Sequence, residues 1–222
     1  MVSVVELYNN IVFDTNFKAD FGFACMIQGP DILFDTGSKG DILLQNLSRA
    51  GIDPGSIRSV VLSHDHWDHC GGMPGLLDEN PGIKVYILRA FSEKTAETIR
   101  AHGGNPVVVE NWRELAPGIF STGPVNNSVI EQSIAVEVSD GYFVISGCAH
   151  PHISAIIKAV SAHGKVWGAM GGFHSISDED MVALSNVAYL SPSHCTGRME
   201  EIEAQNPDTF VQGGVGKVHR LR

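Results

Sequence analysis

The chain has 222 residues, 43% hydrophobic and 18% charged, with 15 Lys and Arg against 25 Asp and Glu for a formal net charge of −10. This composition suits one α/β domain with a core that needs no disulfides. The acidic balance, without any Lys/Arg cluster, argues against a nucleic-acid partner.

In chain order, alternation and β-branched enrichment predict an opening meander over residues 2–8, 23–28 and 32–35, with Gly29-Pro30 as the second turn. Leu43, Leu44, Leu47 and Ala50 have helical spacing and Gly51 stops them. Residues 59–62 form a short apolar strand, 84–88 another, and 92–102 a helix. The second half repeats the rhythm. Strands are expected at 119–122, 133–138 and 142–146, with a hairpin at Asp140-Gly141. A helix carries Ile153, Ile156, Ile157 and Val160, followed by a strand at 166–170 and a helix at 178–186 that Ser177 caps. Strands at 187–190 and 210–211 bracket a helix at 196–204. No linker separates the halves, so the expectation is a four-layer αββα sandwich of the α/β class, in one domain over residues 1–222. No window reaches 18 apolar residues, so no membrane span is expected. No basic leader opens the chain, and the four cysteines are far apart with no CxxC pair; both fit a reducing cytoplasm.

Three of the 10 histidines lie with two aspartates in six consecutive positions of LSHDHWDHCGG, residues 62–72. His64 and His66 follow a strand. In an extended segment alternate side chains share a face, so both reach one ion. Asp68 and His69 fall where the chain turns toward Gly71-Gly72 and can address a second. Four local ligands cannot complete two sites, since zinc takes about four each. His150, His174 and His194 each end an apolar strand among small residues, where functional groups sit on a rigid scaffold. His174 can bind metal, hold a substrate phosphate or donate a proton as general acid. Asp35 in ILFDTG either orients a ligand histidine from behind or closes an Asx turn with Thr36-Gly37. Trp67 either walls a pocket or simply packs. Cys70 and Cys195 read as small buried residues. The double glycines Gly71-Gly72 and Gly171-Gly172 permit close backbone approach. His102, His163 and His219 read as surface or helix-end residues.

LSHDHWDHCGG resembles the HxHxDH signature of the metallo-β-lactamase superfamily. ILFDTG, ISGCAHPHI, GGFH and HCTG are similar to one branch of it, the methanopterin-pathway dihydropterin–aminobenzene phosphate synthases and their relatives. The resemblance implies two divalent ions, zinc foremost with manganese, iron or magnesium as alternatives. It implies His64, His66 and His150 on one ion, and Asp68 and His69 on the other, with His194 at the second ion or bridging the two. Asp68 is expected to double as a catalytic group, His174 to protonate the leaving group, and Trp67, His174 and Thr196 to contact substrate. The superfamily's bridging aspartate is replaced by Cys148, which puts the second ion in doubt unless His150 compensates. His152 stands where relatives have glycine, as an extra ligand or a helix cap. The implied activity is hydrolysis of a phosphate-containing or ester substrate by a metal-activated hydroxide. The alternatives are a synthase-like transferase displacing pyrophosphate, or a metal-containing redox or sensor protein. The expected partner is a small anionic substrate.

Overall fold

Strand β1 (Val2–Tyr8) opens an antiparallel meander with β2 (Ala24–Gln28) and β3 (Ile32–Phe34). The computed structural model describes residues 2–221, and by its internal contacts it divides into two units. One runs to Glu110 and regains Gly214–Leu221; the other is Asn111–Gly213.

In the first unit, α1 (Gly40–Arg49) leads to β4 (Ser59–Val61), and two short helices, α2 (Trp67–Cys70) and α3 (Met73–Glu79), lead to β5 (Lys84–Leu88). Helix α4 (Glu93–Ala101) then leads to β6 (Asn105–Val109). Strands β3 to β6 run parallel. Helix α1 buries Ile42, Leu43 and Leu47 along one stripe, and these join Leu7, Met26, Leu33, Val60, Leu76, Leu77 and Ile99 in a single core. Alternate residues of the strands supply that core, as the two-residue period of a strand requires.

The second unit starts with β7 (Arg113–Ala116), β8 (Ile119–Ser121), β9 (Ile134–Val138) and β10 (Gly141–Ser146), all antiparallel. It continues through α5 (Ile153–Ser161), β11 (Val166–Gly172), α6 (Asp178–Leu184), β12 (Tyr189–Ser193) and α7 (Met199–Gln205). Strands β10, β11 and β12 are parallel. Finally β13 (Val218–Leu221) returns to pair with β1 of the first unit. The sheet orders are β13-β1-β2-β3-β4-β5-β6 and β12-β11-β10-β9-β8-β7. No helix among the described residues is long and apolar enough to cross a membrane.

Most predicted elements form within a residue or two. The exceptions have physical causes. Strand β6 carries Pro106 and β12 carries Pro192; both strands end their sheet orders, and an edge is where a strand tolerates proline. So β6 is absent from the sequence expectation and β12 lies two to three residues later than residues 187–190. Helix α7 starts at Met199 rather than 196, because Thr196 is held in a turn by its bond to Ser193 O. Phe210 makes only an isolated bridge to Leu190.

His219 is not a surface residue. It is buried on β13, with Nε2 2.9 Å from Glu6 Oε1. The same buried carboxylate accepts from Gly214 N at 3.0 Å and Asn9 Nδ2 at 2.7 Å. Alternation along VHRL turns His219 inward with Leu221. Glu6→Ala strips one acceptor from three buried donors, and an unfolding free energy lower by about 3–5 kcal/mol is expected from urea titration.

Candidate functional site

The candidate donors lie at the carboxyl ends of parallel strands, where open α/β sheets place ligands. In the first unit, β3 ends at Phe34, just before Asp35, and β4 leads into residues 62–66. His64 and His66 do not share a face by strand alternation. The segment has left the sheet, and His66 N donates to His64 O at 3.0 Å across a tight turn. That turn sets the rings edge to face, with centroids 4.4 Å apart. Helix α2 then brings Asp68 and His69 back to them, and the His64 and His69 rings are 4.3 Å apart.

Behind the donors stands Asp35, fully buried. It accepts from Ser63 N at 2.7 Å and Ser63 Oγ at 2.8 Å, and contacts His69 Nδ1 at 2.7 Å. A carboxylate only accepts, so His69 carries its proton on Nδ1 and keeps the Nε2 lone pair. His64 Nδ1 is held by Ser63 Oγ at 2.8 Å. The opposite nitrogens face inward: His64 Nε2 lies 3.0 Å from His66 Nδ1, and His69 Nε2 lies 3.5 Å from Asp68 Oδ2. Imidazole and carboxylate lone pairs thus converge from His64, His66, Asp68 and His69, a donor set that fits a divalent cation.

Asp65, within the same motif, faces the other way. It accepts from Ser92 N at 2.7 Å and Thr95 Oγ1 at 2.6 Å, fastening the loop to the start of α4. Burial opposes its ionisation, but these bonds outweigh burial and hold its carboxyl below the usual range. The double glycine after α2 is required by packing: a Cβ on Gly71 would meet Ser38 O at 2.3 Å, and one on Gly72 would meet Thr36 O at 2.1 Å. Trp67 is 64% exposed and stacks on Phe21. It borders a groove of about 370 Å3 lined also by His66, Met73, Ser92, Lys94 and Thr98.

In the second unit Glu131 plays the part that Asp35 plays in the first. Buried, it accepts from the consecutive N–H groups of Cys148, Ala149 and His150 at 2.9, 3.0 and 3.1 Å, and contacts His150 Nδ1 at 3.1 Å. Nothing in the loop GPVNNSVIE marks it, because its partners lie 17 to 19 residues away. The His150 and His174 rings are 4.7 Å apart, with His174 exposed on the turn after β11. Two groups of ligand atoms form here, Cys148–His150–His174 and Cys148–His194–Cys195. Cys195 and Cys70 are only part-buried. The Thr196 hydroxyl accepts from Phe173 N and donates to Ser193 O, bracing the turn after β12. His152 is the N-cap residue of α5, but its side chain contacts Asp180 Oδ2 at 2.9 Å instead of capping.

A family model described as the metallo-beta-lactamase superfamily matches residues 21–163. The chain is 29% identical over 226 residues to the 7,8-dihydropterin-6-methyl-4-(beta-D-ribofuranosyl)-aminobenzene-5'-phosphate synthase of Methanocaldococcus jannaschii, covering 79% of this chain and 77% of the relative. It is 27% identical to an uncharacterized protein of the same organism, over 91% of this chain and 94% of that one. Among solved structures, a metal-dependent hydrolase of the beta-lactamase superfamily superposes with a TM-score of 0.83 at 22% identity, over 100% of this chain and 99% of that one. The two helix-bearing sheets thus match the fold of that superfamily.

Asp180 fixes the approach to the His150 turn. It caps α6 with Ser177 and accepts from Ser154 N and Oγ at the start of α5. Burial raises its pKa, yet the bonds from Ser154 and Ser177 outweigh burial and hold it at about 2 against an ordinary 3.8. The ionised form is therefore favoured in the folded chain, and the stability it contributes is present above about pH 4 and lost as pH falls toward 2. Asp180→Asn is expected to cost about 2 kcal/mol at neutral pH. Urea titrations at pH 7, 4 and 2 should show the gap to the unsubstituted chain closing between the last two.

Proposed function

Because the chain belongs to the metallo-beta-lactamase superfamily, we propose that it is a metal-dependent hydrolase of a small anionic substrate, a phosphate-containing compound or an ester, acting as one domain over its 222 residues. The observation that carries this reading is the first-unit cluster. Its two buried imidazoles are tied behind to Ser63 and Asp35, and their Nε2 atoms face His66 and Asp68. Such tethering of the far nitrogen is how metal-binding histidines are oriented.

The proposal assigns His64, His66 and His150 to one divalent ion, and Asp68, His69 and His194 to a second, with zinc foremost. When bound, such ions lower the pKa of water from 15.7 to about 7 and offset charge developing on oxygen. Asp68 orients the attacking nucleophile. His174 protonates the leaving group, a role its exposed position on the turn after β11 allows. Glu131 and Asp35 hold the imidazoles that flank the reacting atoms. The groove beside His66 offers substrate an apolar wall at Trp67 and a cation at Lys94. Lys94 makes no ion pair among the described residues, so an anionic group does not have to displace a carboxylate.

The 29% identity to a synthase supports a second reading, in which an aryl nucleophile replaces water and pyrophosphate departs. Pyrophosphate release from a pterin pyrophosphate only when an aminobenzene acceptor is present would favour transfer over hydrolysis.

Protein purified without chelator is expected to carry two equivalents of metal by elemental mass spectrometry, falling in both His66→Ala and His194→Ala. One equivalent, lost only in His66→Ala, would overturn the two-ion assignment. On a phosphoester found by screening, His174→Ala should lower kcat by about 10²–10⁴-fold while metal content stays unchanged. Equal loss of metal would make His174 a ligand instead.

A further inference from the structure

Two cysteines stand among the second-unit histidines, and the ligand assignment above uses neither. Cys148 follows β10 and Cys195 follows β12. Their sulfurs are 3.2 Å apart, with the Cys195 thiol donating toward Cys148 Sγ. Cys148 Sγ also belongs to both donor groups of this unit. It lies with His194 and Cys195 on one side, and with His150 and His174 on the other, all ligand atoms of each group within 4.8 Å of one another. Donors on a tetrahedral zinc are roughly 3.3–3.8 Å apart, from Zn–N near 2.0–2.1 Å and Zn–S near 2.3 Å. Side-chain adjustments of about 1 Å would close the Cys148–His194–Cys195 group on an ion.

The backbone is compressed to bring these atoms together. Ala149, His174 and His194 take φ of 53°, 41° and 51°, values costly for residues with a Cβ and concentrated in proteins at functional turns. A Cβ on Gly172 would lie 2.2 Å from Gly147 O and 2.9 Å from Cys195 Sγ, so only glycine lets the β11 end pass between the two cysteine turns.

We propose that Cys148 is a thiolate metal ligand standing between His150 and His194, and that Cys195 is a second sulfur donor on the His194 side. This rests on the metal-dependent reading above. It makes the cysteine that replaces the superfamily's usual aspartate a soft donor rather than a lost one. Each cysteine gives up its thiol proton to solvent as its metal–sulfur bond forms. Sulfur in the donor set favours zinc, iron or copper(I) over manganese and magnesium.

The test is cobalt(II) added to the chelator-stripped full chain under a thiol-free reductant, with cobalt content and near-ultraviolet absorption read together. A sulfur-to-cobalt charge-transfer band is expected. It should be weakened in Cys148→Asp and in Cys195→Ser, and lost only when both are replaced, while all three variants still bind cobalt. Should a variant fail to fold, alkylation of the unsubstituted chain gives the same answer: cobalt should slow labelling of Cys148 and Cys195 at least about tenfold, a protection worth 1.4 kcal/mol or more. Bound cobalt without the band, a band unchanged in Cys148→Asp, or a Cys148–Cys195 disulfide in protein that holds cobalt would overturn the thiolate assignment and leave the metal reading standing. A band unchanged in Cys195→Ser would overturn that cysteine's part alone. No cobalt bound at all would overturn both readings.

Discussion

A carboxylate taken out of water must be surrounded by donors, and each unit is organised around one such group. Asp35 collects Ser63 N, Ser63 Oγ and His69 Nδ1. Glu131 collects three successive N–H groups and His150 Nδ1. Removing either acid leaves several buried donors without an acceptor, at about 1–3 kcal/mol each. The price of meeting that demand falls on the chain around it: the turns after β4 and β10 must bend so that their N–H groups point inward. Once they do, the imidazoles they carry have one face committed and the other presented outward from the acid. The chemistry of the turns is thus a by-product of satisfying two buried charges.

The sheets share a division of labour. Each has an antiparallel meander on one side and parallel strands on the other. Some meander strands are joined by tight turns, as β9 is to β10, while residues 9–23 and 122–133 make longer connections. Parallel strands need crossovers, and their carboxyl ends open into longer segments. Asp35, the 62–70 segment, Cys148 with His150, His174 and His194 all occupy such ends. Several of these residues, Asp35, Ala149, His152, His174 and His194, have positive φ without being glycine. Strain of about 1–3 kcal/mol per residue is held there by the bonds around Asp35, Glu131 and Asp180.

Much of this was legible in the sequence, and the failures follow a pattern. The cluster of residues 64–69 announced itself by composition, and His150, His174 and His194 by their place after apolar strands. What escaped were features defined by distant partners. Glu131 looks like any loop acid until its fan of N–H groups is seen. Asp65 is inside the motif, yet it serves α4 and not the imidazoles. The γ-like turn at His64 mimics strand spacing by a different geometry. The prolines of β6 and β12 hid edge strands, and His219 looked like a surface residue because its carboxylate partner lies 213 positions earlier.

That last separation bears on how the chain is made. The first unit is interrupted by the whole of the second and completed only by β13. While synthesis proceeds, Glu6 is translated 213 residues before its imidazole partner. A nascent chain can assemble the β1 to β6 strands, but it carries an uncovered β1 edge and an acid without its Gly214 and His219 partners until residue 219 emerges. Such an edge invites pairing with other chains. Closure therefore has a long-range step of high contact order, and until β13 docks the edge of β1 stays open to pairing.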